Sequence, residues 1–277
     1  MLFKINSDLC SEDMSFHILA TIWIVIGVLS GHNCRYVDMS YKLFEGLPKH
    51  PVHRGFNLTE ILKGPLGTNK FVATHQVDTA EHMSTHIDAP YHFAEFAWKL
   101  DQIPSANLHG PGVVLDIREK VAKTAPGKEA TVDISDAEAW ENKYGQIPKG
   151  AIVIMNSGWS KYWPDSNKFV GLVDTEDHSK GMASPGFSLE LARWLLFERD
   201  IIGIAVDTIN CDIGSDLTFP VHNLLQPENI WCGEMIANID RIPVNGTQIF
   251  VLPMKIREGT GAPARIFAAW KNKYLKG

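Results

Sequence analysis

The sequence predicts one mixed α/β domain with a mostly β core and a few covering helices. Three observations carry this. Short apolar runs of strand length outnumber segments with helical periodicity. The two kinds mix along the chain instead of segregating. The 277 residues, 45% hydrophobic and 21% charged, can bury a sizeable core, and no repeat or long linker divides them. The formal net charge is −6, without a long run of Lys and Arg. Phosphate backbones need a clustered positive field, so nucleic acid is disfavoured as a partner.

The elements follow in order. "RYVDMSYKL" (35–43) alternates like a strand, and "KFVATHQV" (70–77) does so more weakly. "GVVLDI" (112–117) is a short apolar run and reads as a buried strand. "SDAEAW" opens a helix, with Ser135 as cap and Glu138 three residues later. "AIVIMN" (151–156) is another buried strand, ending in the Trp- and turn-rich loop "SGWSKYWPDS". "SPGFSLELARWLLFERD" predicts a helix capped by Ser188, with Leu189, Ala192, Leu195 and Leu196 on one face. "IIGIAVD" and "IFVLPMKI" are strands, and "ARIFAAW" is the last element.

The first residues differ from the rest. Phe16 to Ser30 is apolar apart from His17, Thr21 and Ser30, short for a bilayer span, and fits the apolar region of a secretory signal. The reading is a signal peptide over 1–31 and a domain over 32–277, hence a secreted protein with no stable membrane span after processing. Asp8, Glu12 and Asp13 suit a signal poorly, and a start at Met14 would remove them. Sequons at Asn57 and Asn245 are candidate glycosylation sites in an exported chain. Cys34, Cys211 and Cys232 would remain, enough for one intrachain disulfide at most, and no CxxC metal pair exists.

"EHMSTHIDAPYHF" (81–93) carries the chemistry. In an extended stretch His86 and Asp88 share a face, and Pro90 biases Ala89 toward extended backbone. A turn, or one helical turn, would bring His82 to His86. Two imidazoles and a carboxylate suit Zn²⁺ or Mn²⁺ and leave a position open for water. His92 falls just beyond, free to act as a base. On spacing alone, scattered polar surface remains an equal alternative. Phe93, Trp98, Trp159 and Trp163 are candidate walls for an aromatic substrate, with core packing as the alternative for each. There is no GxSxG elbow and no HExxH, which argues against a serine hydrolase and a zincin-type peptidase.

"HMSTHIDAPYHF" closely resembles the HxGTHxDxPxH signature of the putative cyclase family, which includes bacterial-type kynurenine formamidases and isatin hydrolases. Ser84 stands where the signature has glycine. "VDMSYKL", "IIGIAVDTINCD", "FPVHNLLQPENIWCGEMIANIDRIP" and "VLPMKIREGTGAPARIFA" resemble further family segments, so the resemblance covers about residues 36 to 270. It implies a swivelling β/β/α fold, a homodimer or larger assembly, and one or two divalent metals per chain. It also implies His222 and Glu234 as ligands of a second metal bridged by Asp88. The implied reaction is hydrolysis of a small aryl formamide or cyclic amide, with His92 moving the proton. The alternative is a catalytically inactive, secreted metal-containing binding protein on the same scaffold.

Overall fold

The computed structural model describes residues 34–125, 128–174, 176–177 and 181–271. The expected signal segment and the candidate start at Met14 lie outside the described residues. The chain divides into two units: Tyr36–Ala269, and residues 1–35 together with 270–277. The candidate site lies in the first.

Strands β1 (Cys34–Asp38), β2 (Asn57–Leu66) and β3 (Asn69–Asp78) precede the short β4 (His86–Asp88). Next come β5 (His109–Asp116), α1 (Arg118–Lys123), β6 (Thr131–Val132) and α2 (Ile134–Tyr144). They are followed by β7 (Ile152–Asn156), α3 (Ser166–Val170), β8 (Gly186–Phe187) and α4 (Leu189–Glu198). The remainder is β9 (Gly203–Val206), α5 (Pro220–Leu225), β10 (Trp231–Glu234), β11 (Thr247–Pro253) and β12 (Gly261–Lys271).

The main sheet runs β1-β12-β11-β5-β7-β9-β10-β4, and β4 also pairs with β12. That second pairing closes seven strands into a barrel-like ring, which leaves few open edges. The fold is therefore mixed α/β with a strand-rich core, as the sequence predicts. β5, β7, β9 and β10 are parallel neighbours, whereas β4 pairs antiparallel with both β10 and β12. Every residue of β7 and β9 is buried, as parallel strands covered on both faces require. Ala137 and Trp140 of α2, Leu191, Ala192 and Leu195 of α4, and Val221 and Leu225 of α5 form one cluster with Val113, Val153, Ile204 and Val206. This layer fixes the carboxyl ends of β9 and β10, which lead into the loop 207–212 and end at Glu234.

Several sequence expectations shift. The first strand stops at Asp38, because its Oδ1 accepts the Ser40 N–H at 3.1 Å and turns the chain. Helix α2 starts at Ile134, so the cap is Asp133 and not Ser135. Asp136, not Glu138, closes the box by accepting the Asp133 N–H at 2.8 Å. Lys120 Nζ binds both Asp133 (3.0 Å) and Asp136 (2.6 Å) and fixes this earlier start. Ser188 does cap α4, accepting the Leu191 N–H at 3.2 Å. Its buried stripe is Leu191, Ala192 and Leu195, with Leu189 and Leu196 half-buried. Strands β2, β6 and β10 and helices α1, α3 and α5 have no counterpart among the sequence expectations, and Gly186–Phe187, expected as helix, form β8. Among the described residues no helix is long and apolar enough to cross a membrane.

Candidate metal centre

Residues 81–92 build one half of the site. Ser84 sits at φ +57°, the left-handed region its signature glycine would occupy without strain. A bend through Ser84, not a helical turn, brings His82 and His86 together, with ring centroids 5.3 Å apart. In β4 the pleat sends His86 and Asp88 to one face. Ala89 is extended, Pro90 starts a single 3₁₀ turn, and that turn sets the His92 ring 4.1 Å from His82. Gly261 makes room on the other side: a Cβ there would lie 2.7 Å from the His82 ring and 2.6 Å from the Ile87 carbonyl.

The other half comes from distant chain. Sheet register sets Glu234, the last residue of β10, directly opposite His86. His222 lies on α5, whose first turn is anchored by Asp212. The Asp212 carboxylate accepts the Val221 N–H (2.6 Å), the His222 N–H (3.3 Å) and His222 Nδ1–H (2.6 Å). That leaves His222 Nε2 facing Asp88 Oδ2 at 3.2 Å and Glu234 Oε1 at 3.6 Å. Asp88 is the hub, with Oδ1 2.5 Å from His82 Nδ1 and 3.2 Å from His86 Nε2. The structure thus brings all five expected ligands, His82, His86, Asp88, His222 and Glu234, into one cluster.

The donor set fits a divalent cation. His86 Nδ1 donates to the Ser84 carbonyl at 2.8 Å, which directs the Nε2 lone pair inward. Nε2 is buried without a hydrogen-bond partner, 3.2 and 3.4 Å from carboxylate oxygens of Asp88 and Glu234. Lone pairs facing each other in a buried site call for a positive charge between them. The ligand atoms of His86, Asp88 and Glu234 lie within 4.8 Å of one another, as do those of His82, Asp88 and His92.

Electrostatics agree with this reading. Burial pushes the Asp88 carboxyl up, but His82, with hydrogen bonds from His222, His82 and His86, holds it well below the usual range. Burial and the neighbouring Asp88 charge both raise Glu234. Burial opposes charge on His222, yet hydrogen bonds to Asp212, Asp88 and Glu234 carry it well above its ordinary value. Burial opposes charge on His86 as well, but Asp88, Glu234 and the Ser84 carbonyl together raise it. His92 goes the other way: desolvation, aided by His82, His222 and His86, lowers it to about 4 despite Asp88.

The cluster forms the floor of a cavity of about 200 Å³, small beside the roughly 300–1,000 Å³ of drug-sized sites. Val52, His53, Phe93, Ile209, Phe219 and Met235 line it, with His92 at the wall. Phe93 is where the sequence predicts it, its ring 4.8 Å from His222 and 5.2 Å from Phe219. Trp98, Trp159 and Trp163 do not line the cavity. The Trp98 N–H is held by Asn229, Trp159 Nε1 donates to the Phe169 carbonyl, and Trp163 stacks on Tyr41. Trp159 and Trp163 pack against the buried Phe169 cluster instead. Asn57 and Asn245 are both exposed. Sequence reasoning missed Asp212, His53, Phe219 and Met235. Phe219 (φ +50°) and Met235 (φ +55°) hold strained backbone at the cavity, which no local motif announces.

A family model described as "Putative cyclase" matches residues 37–213. The chain is 31% identical to the isatin hydrolase of Roseibium aggregatum over 250 residues, covering 87% of this chain and 89% of that one. The structure of isatin hydrolase A from Ralstonia solanacearum superposes with a TM-score of 0.80 at 26% identity, covering 96% of this chain and all of that one. Isatin hydrolase A from Labrenzia aggregata, bound to benzyl benzoate, gives 0.78 at 27% identity over 91% and 99% of the two chains.

Proposed function

The chain belongs to the putative cyclase family, and from that premise we propose that it hydrolyses a small aryl formamide of N-formylkynurenine type or a cyclic amide such as isatin. At the coarser level it is a metal-dependent hydrolase of amide C–N bonds. The carrying observation is the convergence of three histidines and two carboxylates around the unpartnered His86 Nε2, beneath an apolar-walled cavity. The small volume and the Phe93–Phe219 wall favour a substrate of one or two rings.

His82, His86 and Asp88 would hold one divalent ion; His222 and Glu234, with Asp88 shared, would hold a second. Nitrogen and oxygen donors suit Zn²⁺ or Mn²⁺. Such an ion, when bound, polarises a carbonyl and makes water acidic enough to react near neutral pH. The protein does the rest. Phe93 and Phe219 orient the ring, and Asp212 and the Ser84 carbonyl fix the imidazole orientations. His92 has a ring nitrogen within 4.8 Å of ligand atoms of His82 and Asp88. As a neutral imidazole it can accept a proton from water and return it to the leaving nitrogen.

The test is metal content by mass spectrometry, with hydrolysis of N-formylkynurenine, isatin and simple aryl amides measured with and without chelator. His92→Ala should keep its metal and lose about 10²-fold in turnover. Metal lost along with His92 would make it a ligand and end the base assignment.

We also propose export and assembly as a homodimer. The Cys211–Cys232 disulfide and the exposed sequons Asn57 and Asn245 support an oxidising compartment. Among the described residues the β2–β3 hairpin pairs with no other strand, and it exposes Leu58, Ile61, Leu66 and Phe71, which supports burial against a second copy. Sedimentation at several concentrations checks the dimer, and peptide mapping of the exported chain checks the glycans.

A further inference from the structure

The Cys211–Cys232 disulfide lies directly behind the His222/Glu234 half of the site. Both cysteines are buried. Cys232 and Glu234 alternate with Gly233 on β10, so their side chains share a face, and Cys232 Sγ is 3.8 Å from Glu234 Oε1. Across the bond, the Cys211 N–H donates to the same Oε1 at 3.1 Å. One residue on, Asp212 orients the His222 ring and anchors α5. The loop after β9 therefore supports both ligands of this half, and the disulfide ties that loop to β10. Upstream in the same loop, the Thr208 carbonyl accepts the Met235 N–H at 2.9 Å.

The first half has no such tether. His82 Nε2 bonds Thr260 Oγ1 at 2.9 Å, Thr260 bonds Glu81, and His86 is fixed by the Ser84 carbonyl. None of these groups hangs from residues 208–212.

We propose that the Cys211–Cys232 disulfide is a positioning element for the His222/Glu234 half alone, so that occupancy of the second metal depends on its oxidation while the first does not. The inference rests on the two-metal reading above. A phosphine reductant with one water gives two thiols and a phosphine oxide, so two electrons and two protons enter the cysteine pair. The covalent tie to β10 is then gone and hydrogen bonds alone hold Cys211, from the Phe187 N–H to its carbonyl and from its own N–H to Glu234, so the donor that aims the Glu234 carboxylate is placed less firmly.

The experiment uses the full chain and Mn²⁺, a hard ion with little affinity for thiols. The protein is reduced under argon, freed of phosphine and titrated calorimetrically beside untreated protein; Cys211→Ser/Cys232→Ser is titrated in parallel. Untreated protein should bind two equivalents. Reduced protein and the double variant should keep the first at unchanged affinity and bind the second about 10- to 100-fold more weakly, the scale for losing an outer-shell partner. Oxidised glutathione should restore the second equivalent to reduced wild type. The retained first equivalent reports that the fold survives.

Two equivalents at unchanged affinity after reduction would overturn this inference and leave the two-metal reading intact. One equivalent in untreated protein would remove the two-metal reading and this inference with it. Parallel loss of both would also overturn it, since the bond would then support the whole centre.

Discussion

His82, His86 and Asp88 arrive within seven residues of one another, whereas His222 and Glu234 reach the same point from 134 or more residues away. The first group is set by local geometry: a bend at Ser84, the pleat of β4 and the stop at Pro90. The second depends on the register of β10 against β4 and on Asp212 gripping the start of α5. A site assembled this way has a compact, self-contained half and a half that inherits every displacement of the surrounding core. The two respond differently to the same kind of damage.

Asp88 belongs to both, so its replacement gives the largest effect and tests whether the halves are joined. Asp88→Asn keeps the shape and removes the charge that faces His82, His86 and His222. It should release all bound metal and lower turnover by about 10³-fold, equivalent to several kcal/mol of lost transition-state stabilisation. Metal analysis with steady-state kinetics checks it. Retention of one equivalent would show that Asp88 is not the hub.

Outer-shell substitutions should separate the halves. Asp212→Asn leaves the α5 cap partly served but removes the carboxylate that holds His222 Nδ1–H. Binding of the proposed second metal should weaken about 10- to 100-fold with the first unchanged. Thr260→Val removes the hydroxyl beside His82 Nε2 and should weaken the first about 10-fold while sparing the second. Competition titrations against a chromophoric chelator would read both constants. Equal weakening at both positions in either variant would mean the halves are one mechanical unit.

The same contrast explains what the sequence made legible. His82, His86, Asp88 and His92 are readable because periodicity and proline act over a few residues, and the structure keeps that local order. His222 and Glu234 carry no local signal: one sits in a short Leu-containing helix, the other ends a four-residue strand, and only resemblance to a family points to them. Asp212 lay inside a quoted segment yet looked like any turn acid, since its role appears only when α5 docks on it. The strand-rich core was legible from β7 and β9, whose apolar runs are buried in full. The helix cap at Asp133 was not, because Lys120, thirteen residues upstream, selects it. The tryptophans misled for a related reason: an aromatic ring reads the same in a core as at a substrate wall.

The smallest effect should come from Ser84, and it bears on how the compact half is held. A non-glycine residue at φ +57° costs about 1–2 kcal/mol, and glycine returns about 0.5–1 kcal/mol of that in unfolded-chain entropy. The Ser84 hydroxyl offsets little, since its contact with the Tyr41 carbonyl is long at 3.4 Å. Ser84→Gly should therefore stabilise the protein by about 0.5–1 kcal/mol and raise Tm by roughly 2 °C. The carbonyl of this residue orients His86, so the strain sits on the bond that aims a ligand. If the bend alone sets that aim, glycine should leave first-metal affinity unchanged while Tm rises. If the Ser84 side chain braces the bend, Tm should rise and affinity should fall. Thermal unfolding and Mn²⁺ titration of the same preparation distinguish the two, and an unchanged or lower Tm would mean that contacts made by the buried serine outweigh its backbone cost.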